Sequence, residues 1–370
     1  MSKFAFIYRG NTKGGTKLVI EKLLEEFDKN DKNQWTLITD KKECINNYKN
    51  IKVKYIRNIG GLLGYFLWDY LQSFFSLLDE NFDAVLYPKG SIPIDHILLK
   101  SKKAYIVHDL GYFVEEFNAY PAMDTFFMKR QMKFSCKVAD IIFAISEFTK
   151  EDIVNRFKID REKIVVTYEG ILDVFKKSKN REIIEDCMKR NKIKRPYLFY
   201  SGSISPRKNL LRVLQALNNL KKEIPHTLVM TGRASWGDTG LDEFIKENDL
   251  QERVNVVGFV SYEDVAILTS EADMYLFPSL YEGFGLPILE AQSCGCPVLT
   301  SNVSSCPEIA GKAAIVVDPY SVEEIANGIL IGVRDDVKRK RLIALGYENI
   351  KKYSWLKMSQ TVLTNIKKLT

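Results

Sequence analysis

Short apolar runs recur along this chain with helix-patterned stretches between them, and no other feature restricts its possible folds as strongly. Residues 4–8, 35–39, 53–56, 84–87, 104–107, 141–145 and 164–168 form a first series of such runs. Strands that alternate with helices predict a parallel sheet covered on both faces, because each parallel pair needs a crossover and the crossover helix packs on the sheet. The alternation restarts at 197–200 and continues through 227–231, 254–257, 274–277, 298–300 and 314–317. At 370 residues the chain is also too long for one ordinary core. The expected fold class is α/β with two Rossmann-like domains.

Between the two series, residues 172–195 are charged and lack an apolar strand, so the linker is expected there. This gives a first domain at 1–175 and a second at 193–350. Residues 351–370 read as a terminal helix with Trp355, Met358, Val362 and Ile366 on one stripe.

Composition narrows the function classes. The formal charge of +7 is not gathered into a basic arm or stripe, which argues against nucleic acid as a partner and fits an anionic small substrate or a membrane surface. Six cysteines show no C-x-x-C pair and the three histidines are scattered, so no metal site is expected and the thiols read as free in a reducing compartment. Residues 1–8 read as a first strand and not a signal peptide, which gives a cytoplasmic expectation.

The apolar segment 61–80 carries Asp69, Gln72, Ser73, Ser76 and Glu80 at three- and four-residue steps. That spacing makes one hydrophilic stripe on an amphipathic helix and not a membrane span. The helix is either a core helix of the first domain or an interfacial one. In the interfacial case Lys129, Arg130, Lys133 and Lys137, at helical spacing, add attraction to anionic headgroups.

The chemistry concentrates in residues 277–290, Phe-Pro-Ser-Leu-Tyr-Glu-Gly-Phe-Gly-Leu-Pro-Ile-Leu-Glu. Gly283 and Gly285 let the backbone bend closely around a ligand, and Pro287 suits the first turn of a helix. A helix N-terminus favours phosphate, while Glu282 and Glu290 can accept hydrogen bonds from sugar or ribose hydroxyls. After the strand at 197–200, the loop Ser201-Gly202-Ser203-Ile204-Ser205-Pro206-Arg207-Lys208 puts two cations at the carboxyl end of a parallel strand, the usual ligand position in such sheets. No Asp-x-Asp occurs, which argues against a metal-dependent transferase of the single-domain kind. No complete G-x-G-x-x-G occurs either, which weakens a nicotinamide or flavin enzyme.

The whole of 277–290, with seven residues between the two glutamates, resembles the signature of retaining glycosyltransferases of the glycogen-synthase-like superfamily, family 4. The resemblance implies the GT-B arrangement: two Rossmann-like domains facing a central cleft, with the terminal helix crossing back to the N-terminal domain. It implies a nucleotide diphosphate sugar as donor substrate, no other cofactor and no metal. By the same resemblance Glu282 sits beside the donor sugar, the backbone of Gly283, Phe284, Gly285 and Leu286 lines its hydroxyls and diphosphate, and Glu290 holds the ribose. Arg207 and Lys208 stabilise the departing diphosphate, His108 touches the donor sugar, and Gly258, Phe259 and Val260 seat the nucleobase. Gly14 and Gly15 resemble the family loop that nears the diphosphate or the acceptor. Ser146-Glu147 also matches a family position. Glu169-Gly170 stands where the family more often has Asn-Gly, which leaves the acceptor side open. Residues 301–305 resemble mannosyltransferases, so GDP-mannose is the first donor expectation and UDP-glucose the second. The expected acceptor is a lipid-linked or growing surface glycan, with peripheral contact to an anionic membrane. A sugar-nucleotide epimerase of the same fold and a silent sugar-nucleotide-binding partner are the alternatives.

Overall fold

The computed structural model describes every residue except 11–13, 62–63, 65–66, 115, 117–121 and 234–238. Among the described residues, thirteen strands fall on the thirteen apolar runs. β1 (Lys3–Tyr8), β2 (Gln34–Thr39), β3 (Ile51–Tyr55), β4 (Ala84–Tyr87), β5 (Lys102–Val107), β6 (Ile141–Ala144) and β7 (Ile164–Val166) make one parallel sheet in the order β3-β2-β1-β4-β5-β6-β7. β8 (Tyr197–Ser201), β9 (Thr227–Thr231), β10 (Val254–Gly258), β11 (Met274–Phe277), β12 (Val298–Ser301) and β13 (Ala314–Val317) make a second, in the order β10-β9-β8-β11-β12-β13. Central strands β4, β6, β11 and β12 are buried along their whole length, as strands covered by helices on both faces must be. The fold is two Rossmann-like α/β units.

The first unit comprises residues 1–113, 122–170 and 354–370, and the second 114–121 and 171–353. The division differs from the sequence expectation at the linker. Part of that charged stretch folds as the helix Arg181–Arg190, capped by Asn180 and burying Ile184, Cys187 and Met188 in the second unit. Those three positions are an i, i+3, i+4 stripe; the surrounding Lys, Arg and Glu residues simply cover the solvent side.

The terminal helix Trp355–Lys367 belongs to the first unit. Trp355, Met358, Val362 and Ile366 are all buried. Lys367 Nζ lies 3.2 Å from an Asp31 carboxylate oxygen, and Thr167 donates to the Met358 carbonyl at 3.4 Å. At Gly170 a Cβ would come within 2.6 Å of Trp355 Cγ, so the chain passes too close to the indole for any side chain.

The segment at 61–80 is helical where described, as a π-turn Trp68–Gln72 followed by Ser73–Leu78. Trp68 and Leu77 lie in the core of the first unit, in keeping with a core helix, but two members of the polar stripe lie inward with them. Ser73 and Ser76 are buried, and Asp69 pairs with Arg9. The Ser73 hydroxyl donates to the Asp69 carbonyl at 2.6 Å and lies 3.1 Å from His96 Nε2. Leu71, Phe75 and Leu78, spaced four and three apart, instead face outward at 47, 58 and 51% exposure. Asp69 and Ser73 find Arg9 and His96 inside, partners no helical wheel can reveal, while the buried Ser76 hydroxyl has no hydrogen-bond partner among the described residues. Among the described residues no helix is long and apolar enough to cross a membrane.

Candidate functional site

In the second sheet the chain leaves β8 toward β9 on one side and β11 toward β12 on the other, so a crevice is expected outside the carboxyl ends of β8 and β11. Both sequence motifs lie there. The segment after β8 passes Gly202 at φ +146°, makes the turn Pro206–Lys208, and enters the helix Leu210–Asn219 through Asn209 in the left-handed region. The segment after β11 ends at Gly285, φ +101°, which caps the helix Leu286–Ser293 with Pro287 in its first turn. A Cβ on Gly285 would press on Ile288 Cδ1 at 3.1 Å, besides the strain of a positive φ.

These two loops bring three charges together. Lys208 Nζ lies 2.5 Å from Glu282 Oε1, and Arg207 Nη1 lies 2.8 Å from Glu282 Oε2. Arg207 also donates to the Tyr281 carbonyl at 2.8 Å. Lys208 and Glu282 are buried, and the ammonium sits 4.7 Å from the centre of the Phe277 ring. Burial alone would raise the Glu282 carboxyl; the Arg207 and Lys208 charges and hydrogen bonds outweigh it and hold the group down at about 2. Burial and the neighbouring Arg207 together pull the Lys208 ammonium below its ordinary range despite Glu282. Two cations share one carboxylate, so the cluster keeps a positive excess that suits an incoming anion.

Residues whose structural part the sequence did not reveal, two of them in the mannosyltransferase-like stretch 301–305, hold this cluster in place. The Asn209 amide donates to the carbonyls of Pro278 at 3.0 Å and Pro319 at 2.6 Å, tying the loops after β11 and β13 to the turn after β8. Leu280 N donates to the Arg207 carbonyl at 2.8 Å. Ser305 Oγ donates to the Glu282 and Phe284 carbonyls at 3.0 and 2.7 Å, while Ser304 Oγ accepts from Glu282 N at 3.1 Å. The serines fasten both ends of the Glu282–Phe284 turn. An Asn directly after the basic pair, and a Ser pair in the loop after a strand, were the signals available.

Glu290 lies half-buried on the helix Leu286–Ser293. Its charge acts on Tyr275, whose hydroxyl donates to the Ser201 carbonyl at 2.9 Å, so this second glutamate belongs to the same end of β8 and β11. Gly258 closes β10 at φ +86°, and Phe259 beyond it is 73% exposed with the Arg233 guanidinium 5.2 Å from its ring centre. Gly232 N donates to the Gly258 carbonyl at 2.7 Å, and a Cβ on Gly232 would overlap the Gly202 carbonyl. The loops after β8, β9 and β10 are therefore packed backbone to backbone. Val260 is half-buried beside them.

The remaining sequence-selected residues are in the first unit. His108, at the end of β5, donates from Nε2 to the Pro88 carbonyl at 2.8 Å, since a carbonyl can only accept. Its Nδ1 lies 3.9 Å from Glu169 Oε1, so the residue that departs from the family's Asn-Gly pattern is the histidine's neighbour. Gly14 and Gly15 open the helix Gly14–Asn30, with no atom within 4 Å of a Cβ added at either. Among the described residues no three His, Cys, Asp or Glu side chains gather as a metal site.

The geometry is that of a cationic, anion-ready crevice at a strand-order reversal of a Rossmann-like unit. Residues 184–349, most of that unit, match the family model of glycosyl transferases group 1. O-antigen chain mannosyltransferase B of Escherichia coli is 33% identical over 251 residues, 67% of this chain and 65% of that protein. The serotype-specific mannosyltransferase WbdA of Escherichia coli is 25% identical over 286 residues, 75% of this chain and 35% of that protein. The chain thus spans less than two thirds of the first of these relatives and about a third of the second. Among solved structures, Anabaena HepE in complex with UDP-glucose superposes with a TM-score of 0.79 at 17% identity, covering 100% of both chains. A glycosyltransferase from Rickettsia africae ESF-5 gives 0.77 at 18% identity, over 100% of this chain and 98% of that one.

Proposed function

We propose that the chain is a metal-independent, retaining glycosyltransferase that moves a hexose, first choice mannose from GDP-mannose, to a hydroxyl of a lipid-linked or growing surface glycan. The observation that carries this reading is the buried Arg207–Lys208–Glu282 cluster at the reversal between β8 and β11. The relatives' names as O-antigen mannosyltransferases support mannose, and the HepE complex supports a nucleotide diphosphate sugar at this fold.

The diphosphate lies against Arg207 and Lys208, which neutralise the charge that grows as the glycosidic bond breaks. They take the part a divalent cation plays elsewhere. Glu282, freed from one cation by the entering diphosphate, accepts hydroxyls of the donor sugar, and the backbone of 283–286 closes around it. Glu290 accepts the ribose hydroxyls, and Phe259 with Arg233 offers a face for the base. His108 is assigned to the donor sugar and Gly14 and Gly15 to the diphosphate or acceptor. In the transfer step the acceptor oxygen attacks the anomeric carbon from the face the diphosphate leaves. The bond to the phosphate oxygen breaks with its electron pair, and that oxygen takes the acceptor's proton, which retains configuration.

Peripheral attachment at the cytoplasmic face of the membrane belongs to the same reading, and the outward Leu71, Phe75 and Leu78 support it. Met123, Phe126 and Phe127, exposed at the start of the cationic helix Ala122–Val138, support the same placement.

The test is a donor panel, GDP-mannose against UDP-glucose, read by released nucleotide with a lipid-linked acceptor and in EDTA. Release from GDP-mannose in chelator with an α-linked product is expected. Epimerised donor, or binding without turnover of any donor, would end the transferase reading; loss in EDTA restored by Mg²⁺ would end metal independence.

A further inference from the structure

Packing alone does not account for Glu169. The residue follows β7 and is buried, with 6% of its surface exposed. No hydrogen bond reaches its carboxylate among the described residues. A buried carboxylate without donors costs free energy, which points to a task other than stability. The basic group beside it is His108, whose Nδ1 lies 3.9 Å from Oε1, beyond hydrogen-bond reach.

The chain on either side of Glu169 is held firmly. Thr167 N donates to the Ala144 carbonyl at 2.8 Å, and the Thr167 hydroxyl donates to the Met358 carbonyl at 3.4 Å. One residue beyond Glu169, a Cβ on Gly170 would come within 2.3 Å of Trp355 N. Strand β6 and the terminal helix therefore fix the backbone from Thr167 to Gly170, and with it the root of the Glu169 side chain. The carboxylate is kept beside the histidine.

His108 is fixed as well. Its Nε2 donates to the Pro88 carbonyl at 2.8 Å, which leaves the lone pair of the neutral ring on Nδ1, the nitrogen nearer Glu169. Nδ1 and the carboxylate are then two acceptors side by side, and neither can donate to the other. Both call for a ligand with two donors at neighbouring positions. A hexose carries hydroxyls on adjacent carbons and satisfies both at once. A phosphate suits the place badly, because it brings acceptors and the carboxylate repels it.

We propose that Glu169 is a specificity-determining residue, which together with His108 accepts two neighbouring hydroxyls of the donor hexose and so selects the sugar by its hydroxyl pattern. Calling that sugar the donor rests on the transferase reading; the ligand chemistry rests on the geometry of the pair. The departure from Asn-Gly gains a physical meaning. An amide side chain brings N–H donors of its own, whereas a carboxylate leaves both acceptors to the ligand.

Calorimetric titration with two pairs of probes tests this, GDP-mannose with GDP and UDP-glucose with UDP, reading the pair whose sugar nucleotide binds more tightly. The free nucleotide makes every contact except those of the sugar. Glu169→Gln, which keeps the shape and removes the charge, should weaken the sugar nucleotide by at least about tenfold, the scale of one hydrogen bond to a charged group, and leave the free nucleotide within about twofold. Its Tm should not fall, since the carboxylate has no hydrogen bond to lose. Glu169→Asp, which keeps the charge, should lose less. At least one monodeoxy analogue of the sugar nucleotide should bind the wild type more weakly than the parent, and this difference should vanish in Glu169→Gln. Equal binding of the sugar nucleotide by wild type and Glu169→Gln would overturn the assignment. Parallel losses for sugar nucleotide and free nucleotide with a lower Tm would overturn it too, by showing a structural role. A wild type that releases nucleotide from no donor, while the Glu169-dependent choice between parent and deoxy analogue persists, would count against the transferase reading and not against this site.

Discussion

Lys208 and Glu282 meet at 2.5 Å in the interior of the second unit, and Arg207 occupies the other oxygen of the same carboxylate at 2.8 Å. Without ligand the glutamate is thus the counter-ion of both cations. A diphosphate must share them, and the charge it brings is greatest as its bond to the sugar breaks. Lys208→Ala should therefore lower kcat by about 100-fold, the usual scale for removing one preorganised charge donor, with a much smaller rise in donor KM. Initial rates across donor concentrations would check this. A raised KM with unchanged kcat would remove Lys208 from the transition state.

The same carboxyl sets an acid limit on stability. Its folded value of about 2 lies below the ordinary 4.5, so folding favours the ionised form. The stabilisation is fully present above pH 4.5 and is lost as pH falls toward 2, amounting to about 3 kcal/mol at roughly 1.4 kcal/mol per pH unit. Urea unfolding of wild type and Glu282→Gln at pH 5 and pH 3 tests it. The wild type should lose more stability over that interval than the variant, which begins weaker because the buried Lys208 and the partly exposed Arg207 have lost their shared partner. Parallel losses would mean that Glu282 does not titrate in this way.

Asn209 has a role no other residue at that position could fill. Its φ of +61° favours Asn or Gly, and its amide is shared by the Pro278 and Pro319 carbonyls. Asn209→Gly keeps the backbone and removes both of these and the hydrogen bond from Arg212 Nη1 to Asn209 Oδ1 at 2.9 Å, which should cost about 3 kcal/mol at ~1 kcal/mol each. Asn209→Ala should cost more, because the backbone strain is added. Tm measured for both variants checks the order, and an alanine variant as stable as the glycine one would contradict it.

The thirteen strands could be read from the sequence because buried parallel strands have to be continuous apolar runs, and these runs sit between polar turns. The glycines at 283 and 285, the Arg207–Lys208 pair and Glu282 were legible for a related reason: close backbone approach and buried charge admit few residue types. Asn209, Ser304 and Ser305 were not, since an Asn or a Ser before a helix looks like an ordinary cap until its distant carbonyl partners are known. The direction of the 68–78 helix was hidden in the same way. Asp69 and Ser73 are hydrophilic on any scale, yet Arg9 and His96 give them partners on the inner side. The helix Arg181–Arg190 was masked by its charge, although its three buried positions had helical spacing.

Gly170 is the point where the terminal helix is fixed to the first unit. A methyl group there would overlap the Trp355 ring, and neither backbone can retreat without moving the helix. Gly170→Ala should destabilise this unit by about 1–3 kcal/mol, the usual range for overpacking. Amide exchange should rise selectively in Trp355–Lys367. Exchange that rises evenly over the chain, or does not change, would show that the helix is not anchored by this contact.

The apolar face of the 68–78 helix makes the membrane assignment testable in isolation from catalysis. Leu71, Phe75 and Leu78 are three large side chains on one exposed face, and Lys129, Arg130, Lys133 and Lys137 stand on the helix Ala122–Val138. Gln131 of that helix donates to the Tyr70 hydroxyl at 3.0 Å, so the two elements adjoin. Burying an exposed large apolar side chain is worth roughly 1.5–3 kcal/mol, and each cation near an anionic surface adds about 1 kcal/mol that salt removes. In flotation with vesicles containing anionic phospholipid, the wild type should rise with the vesicles at low salt and partly dissociate at high salt. Replacing Leu71, Phe75 and Leu78 together by Ser should abolish flotation at either salt concentration with a small loss of Tm, because all three are about half exposed and the packing given up includes the edge contact of Phe75 with Phe74 at 5.7 Å. Neutralising Lys129, Arg130 and Lys133 should leave a weaker association that no longer responds to salt. Wild-type protein that stays at the bottom of the gradient at low salt, or a triple Ser variant that floats like wild type, would take the membrane out of this account.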